Sequence, residues 1–92
     1  MPLKSRDVKR ALKAKGFVEA TKRDHWYYFF YRDGKKSDIY TKISRSDTDL
    51  HDGLCSAMAA QIRLTDPQFR KFVDCVLTAE IYLRILLDEH HL

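Results

Sequence analysis

The chain of 92 residues predicts a single α+β domain, ordered α-β-β-β-α, with a three-stranded antiparallel sheet and two additional C-terminal helices. Three observations carry this. Asp33-Gly34 lies between two runs of aromatic and polar residues, a strong short-range signal for a two-residue hairpin turn, which needs positive φ. Apolar residues recur at helical spacing before that hairpin (Val8, Ala11, Leu12) and after it (Leu50, Leu54, Ala57, Met58, Ile62). Capping residues then restart helices twice more, at Thr65 and Thr78.

The first helix is expected to open with Ser5 as N-cap and Asp7 in the first turn, and to end at Gly16, a natural C′ residue. Arg6, Lys9, Arg10, Lys13 and Lys15 occupy its polar faces. Phe17–Thr21 follows as a short strand, and Lys22-Arg23-Asp24 turns the chain into the hairpin, which occupies Asp24 to Ser46. If the hairpin loop is two residues, Arg32 pairs with Lys35. Tyr28 then faces Ile39, Tyr27 faces Tyr40 and His25 faces Lys42, and directly opposed residues share a face. One face holds Trp26, Tyr28, Phe30, Ser37, Ile39 and Thr41 and is fit for burial. The other holds His25, Tyr27, Phe29 and Tyr31 with Lys36, Asp38, Tyr40 and Lys42. This second face sets a titratable imidazole beside an ammonium on an aromatic platform, which suits a phosphodiester.

Ser46-Asp47-Thr48-Asp49 is a cluster of capping residues, so the next helix is expected from about Asp49 to Arg63. Thr65, Pro67 and Gln68 spell a capping box with proline in the first turn, placing Phe69, Phe72 and Val73 inward. The helix after Thr78 carries Ile81, Tyr82, Leu83, Ile85, Leu86 and Leu87, more apolar residues than one stripe hides. Residues 1–64 therefore read as the core and 65–92 as a helical extension packed on it.

A domain of this size buries only about 60–65% of its unfolded surface, which favours a surface groove over a deep cavity. Charge is uneven. Met1–Ser46 holds thirteen Lys/Arg against five Asp/Glu, whereas Asp47–Leu92 holds four against eight. The basic half contains the hairpin and reads as a polyanion footprint, because steering and counterion release depend on local charge. No run approaches the 18 apolar residues of a membrane span, and Met1-Pro2-Leu3-Lys4 leads straight into a polar helix rather than a signal peptide. A cytoplasmic protein with no membrane partner is expected. Cys55 and Cys75 fall in apolar helical settings, as reduced core or near-core thiols. His51 and Cys55 lie one helical turn apart, but a second ligand pair at metal spacing is missing, so no metal is assigned.

The stretch Lys4-Ser5-Arg6-Asp7-Val8-Lys9-Arg10-Ala11-Leu12-Lys13-Ala14-Lys15-Gly16-Phe17 resembles the opening of the HicA family of small toxins. In that family a helix ending in Gly-Phe leads into a first strand. A histidine then opens the second strand, here in Arg23-Asp24-His25-Trp26-Tyr27, and an Asp-Gly or Asn-Gly turn follows, here Asp33-Gly34. The resemblance covers about Lys4 to Ser44. It implies a double-stranded-RNA-binding-like fold and a metal-independent ribonuclease that cleaves mRNA and is silenced by a cognate antitoxin protein. It also implies His25 as the catalytic position, with no cofactor. Many members carry Gly-Ser before that histidine; this chain has Arg23-Asp24.

The chemistry can be argued from the residues themselves. RNA carries its own nucleophile, the 2′-OH, so cleavage needs a base for that proton and cations for the phosphate. Histidine titrates near neutrality and can act as the base. Lys42, Lys22 and Arg23 are candidates for holding the phosphate. Lys36, Arg45, Lys13 and Arg10 extend the basic track, and Tyr27 and Tyr40 can stack unpaired bases. Simpler readings compete: His25 as a histidine at a strand edge beside a turn, and the aromatics as good strand formers. The exposed rings equally suit a patch covered by the extra helices, by a second subunit in a homodimer or by an antitoxin. The alternatives to a nuclease are a non-catalytic RNA-binding module of the same fold and a protein-interaction domain.

Overall fold

The sheet grows out of the Asp33-Gly34 turn. In the computed structural model, which describes residues 3–45 and 48–92, Asp33 and Gly34 both take positive φ, 52° and 77°, as a two-residue hairpin turn of type I′ demands. The strands β3 (His25–Arg32) and β4 (Lys35–Ser44) leave the turn antiparallel. The strand β2 (Phe17–Lys22) pairs with the other edge of β3, giving the order β2-β3-β4.

Next to the turn the pairing is the expected one, Arg32 with Lys35 and Tyr31 with Lys36. Beyond it the register slips by two. Phe29 pairs with Tyr40, so Tyr28 faces Thr41 rather than Ile39, Tyr27 faces Lys42 rather than Tyr40, and His25 faces Ser44 rather than Lys42. The slip is a bulge in β4 opposite Phe30. The Ser37 hydroxyl donates to the Phe30 carbonyl at 2.7 Å and accepts from the Ile39 N–H at 3.2 Å. It thereby satisfies backbone groups that an irregular ladder leaves open. An even slip returns every side chain to its original face, so the two predicted faces survive although the pairs do not.

The inner face buries Tyr28, Phe30, Ile39, Thr41 and Ile43. One continuous core joins them to all four helices: α1 (Ser5–Ala14), α2 (Asp52–Gln61), α3 (Asp66–Val73) and α4 (Ala79–Asp88). Trp26, expected fully inside, is only half-buried, with Lys9 Nζ 3.0 Å from its ring centroid and the Arg45 guanidinium at 5.5 Å. Leaving water also lowers the Lys9 pKa.

The starts of α3 and α4 follow the predicted caps, and those of α1 and α2 depart from them. Thr65 and Gln68 form the reciprocal capping box at 3.3 and 2.9 Å, and Thr78 accepts from the Ile81 N–H at 3.2 Å. At α1, however, Ser5 is the first helical residue and Lys4 the cap, without a side-chain bond. The Ser5 N–H donates instead to the Thr48 carbonyl at 2.9 Å. That bond belongs to a second, two-stranded sheet in which β1 (Leu3–Lys4) pairs with β5 (Asp49–Leu50). Because Asp49 and Leu50 are used there, α2 begins at Asp52 and His51 caps it, Nδ1 accepting from the Leu54 N–H at 3.1 Å. Of the expected capping cluster, Ser46 and Asp47 lie outside the described residues. Gly16 does follow the end of α1, at φ 99°.

Lys15 also departs from expectation. It is buried rather than solvated; its ammonium donates to the Phe72 carbonyl and lies 4.5 Å from the Phe72 ring centroid, while burial pushes its pKa down. It pins the end of α1 to α3. From α4, Tyr82 inserts among Phe17, Phe30 and Phe72 at centroid distances of 5.8, 5.3 and 5.2 Å. Its hydroxyl donates to the Ile62 carbonyl at 2.8 Å. Cys55 is buried and Cys75 is exposed, where a core or near-core position was expected; both are free thiols. Cys75 takes φ 65° just past α3. Among the described residues no helix is long and apolar enough to cross a membrane.

Candidate nucleic-acid interface

The outer face of the sheet is built in rows that its register dictates. Lys22, His25 and Ser44 form the first row, Ala20, Tyr27 and Lys42 the second, and Val18, Phe29 and Tyr40 the third. His25 owes its place to the tight Arg23-Asp24 turn between β2 and β3, in which Arg23 takes φ 51°. The Asp24 carbonyl accepts from the Arg45 N–H at 2.8 Å, tying this turn to the end of β4. The start of β3 is thus anchored on both sides, and the imidazole stands on a rigid element.

Aromatic rings continue from His25 along β3. The centroid steps are 6.3 Å from His25 to Tyr27 and 6.1 Å from Tyr27 to Phe29, the latter pair inclined by only 10°. Tyr40 joins from β4 at 6.3 Å from Tyr27 and 5.4 Å from Phe29. Ammonium groups border the rings: Lys36 Nζ sits 3.8 Å from the Phe29 centroid and Lys22 Nζ 6.0 Å from that of Tyr27. Val18 and Tyr40 of the third row are 48% and 46% exposed, and His25, Tyr27 and Phe29 are partly buried.

A pocket of about 130 Å³ opens at the His25 end, walled by Lys42 and Ser44 and by Leu54, Ala57, Met58 and Gln61 of α2. Gln61 is fixed there by accepting from the Thr41 hydroxyl at 2.7 Å, which holds α2 against the edge of β4. Lys42 brings the pocket a cation beside the imidazole, while Leu54, Ala57 and Met58 make its α2 wall apolar. A second pocket of about 170 Å³ between α2 and α3 suits an anion less well. Asp52 and Asp66 line it, and Arg70 is already paired with Asp52 at 3.0 Å.

The structure therefore brings together His25, Lys22, Lys42, Tyr27, Tyr40 and Lys36 on the outer face, with exposed Arg23 in the adjoining turn. Lys42 reaches the pocket from the row next to His25, not from the position directly opposite it. The other three candidates stand apart. Arg10 pairs with Asp7 at 3.3 Å and Lys13 with Glu19 at 3.6 Å along α1, while Arg45 lies against Trp26, an inner-face residue. Ser44 and Gln61 were not anticipated, because only the slipped register and the docking of α2 bring them to His25. His51 is engaged as a helix cap, and among the described residues no cluster of three or more potential metal ligands occurs.

Beneath the site, on the inner face, Glu19 accepts from the Tyr28 hydroxyl at 2.6 Å. This bond, aided by Lys13, holds the Glu19 carboxyl below its usual range although burial opposes it. Burial followed by the same bond raises the Tyr28 phenol above its ordinary value.

Comparison of the chain with protein-family models, with curated proteins and with solved structures found no match.

Proposed function

We propose that this chain is a HicA-like toxin with a double-stranded-RNA-binding-like fold, a metal-independent endoribonuclease that cleaves single-stranded mRNA in the cytoplasm and is held in check by an antitoxin protein. The observation that carries the reading is the setting of His25. A histidine at the start of β3 stands between Lys22 on one neighbouring strand and Ser44 on the other, and shares a pocket with Lys42. The order of one helix, three antiparallel strands and a further helix, with helical residues and the inner sheet face in one core, agrees with the proposed fold.

In this reaction the His25 imidazole accepts the 2′-OH proton, the 2′-oxygen attacks the adjacent phosphorus, and the bond to the 5′-oxygen breaks. The products are a 2′,3′-cyclic phosphate and a 5′-hydroxyl that takes its proton from solvent. Lys42 and Lys22 neutralise the charge that builds on the phosphorane oxygens. Expression in cells provides the test: wild type should arrest growth and fragment mRNA, and His25→Ala should do neither while keeping its fold. Growth arrest by the folded variant would refute the assignment.

A second reading is a non-catalytic RNA-binding module. It is favoured by the turn before His25, where exposed Arg23 and Asp24 replace small residues, and by the single imidazole in the pocket. Wild type that binds RNA and leaves it intact would select this reading.

A further inference from the structure

We infer that the outer face of the sheet is the track for a single RNA strand, with bases stacking on Tyr27, Phe29 and Tyr40 and the phosphodiester chain leading to His25. This inference rests on the ribonuclease reading for the location of the scissile bond. The track itself follows from three features of the face.

The first is spacing. His25, Tyr27 and Phe29 form a ladder with steps of 6.3 and 6.1 Å, nearly twice the rise of about 3.4 Å between stacked bases on one strand. Bases cannot remain stacked on each other and also each meet a ring of this ladder. The track therefore fits an extended, unpaired strand better than a duplex.

The second is charge. Lys22, Lys36 and Lys42 border the rings and outnumber the exposed Asp38 of β4, and the Glu19 carboxylate of β2 is turned to the inner face, where it meets Tyr28. Cations interleaved with ring faces are the combination that grips a strand without reading its sequence. The third is availability. Tyr40 is about half exposed and Tyr27 and Phe29 are partly exposed, whereas the inner-face aromatics Tyr28 and Phe30 are buried under the helices. The basic groups of α1 serve the track less, since Arg10 and Lys13 are paired with carboxylates.

The test uses the full chain and a labelled oligonucleotide of mixed sequence with 2′-O-methyl sugars, which lacks the nucleophile and cannot be cleaved by this route. It should bind as a single strand and far more weakly once annealed to its complement. Tyr40→Leu and Phe29→Leu keep apolar bulk and remove the π face. Each should weaken binding by roughly 5- to 140-fold, from about 1–3 kcal/mol per stacked base at tenfold per 1.4 kcal/mol. Val76→Thr, exposed beyond α3, should leave affinity unchanged, and thermal melts confirm that each variant folds. Equal affinity for duplex and single strand would overturn the track. So would unchanged binding in both ring variants, or a homodimer that Tyr40→Leu dissociates, the latter assigning the face to a protein surface. Ring-dependent binding with no cleavage of ordinary RNA would sink the nuclease reading and leave the track standing. Cleavage with ring-independent binding would do the reverse.

Discussion

Removing residues 77–92 should unfold the domain. The segment supplies Leu77, Tyr82 and Leu86, with exposures of 5, 0 and 0%. Each leucine contributes roughly 1.5–3 kcal/mol by leaving water. Loss of a buried aromatic of the size of Tyr82 costs about 3–5 kcal/mol. Together these amount to roughly 6–11 kcal/mol, against a total stability of about 5–15 kcal/mol for a small domain. The deletion also bares the rings of Phe17, Phe30 and Phe72, which Tyr82 covers, so the truncated chain should be molten or insoluble. A graded companion isolates one bond. Tyr82→Phe leaves the Ile62 carbonyl without its 2.8 Å donor, at a cost of about 1–3 kcal/mol, with about 4–8 °C lost from Tm per kcal/mol. Thermal and urea melts followed by circular dichroism measure both. A truncated chain that melts cooperatively at the parental temperature would refute the reasoning and make α4 a docking segment.

Three further outcomes are expected. Replacing Lys22 and Lys42 together should weaken RNA binding and flatten its salt dependence by about 0.7 per lost phosphate contact in log–log slope; an unchanged slope removes both from the interface. The Glu19 carboxyl, held below its unfolded value of about 4.3, stabilises the fold above that pH, and the contribution fades as pH falls through the folded pKa. Glu19→Gln should therefore show a shallower loss of stability below about pH 4.3, and parallel acid limbs would discard the Tyr28–Glu19 bond as a source of stability. Gly16→Ala should cost more than about 1 kcal/mol, because Gly16 sits at φ 99° and an added Cβ would lie 3.0 Å from a Phe30 ring carbon; an unchanged melting temperature would contradict this.

Local signals were legible in the sequence, and contacts between distant segments were not. Asp33-Gly34 announces its turn, and Thr65 with Gln68 announces its capping box, because each is closed within four residues. The bulge in β4 has no such mark: Ser37 is an ordinary residue until Phe30 offers it a carbonyl. The consequence for the site was a changed neighbour, Ser44 in place of Lys42 opposite His25, on an unchanged face. Lys15 shows the limit from another side. Helical periodicity places it among the solvated lysines, and only the arrival of Phe72, 57 residues away, provides a carbonyl that makes its burial tolerable. His51 became a cap because β5 took Asp49 into its pairing with β1, and a two-residue strand leaves no periodicity to read.

The ribonuclease reading meets its most direct test in single-turnover cleavage of unstructured RNA by the purified chain in EDTA, for wild type and for His25→Ala of matching thermal stability. Wild type should cleave, leaving a 2′,3′-cyclic phosphate. The variant should be slower by about 10²-fold or more, the span that a positioned general base supplies. Cleavage by His25→Ala at the wild-type rate, or wild-type cleavage that stops in EDTA, would contradict it.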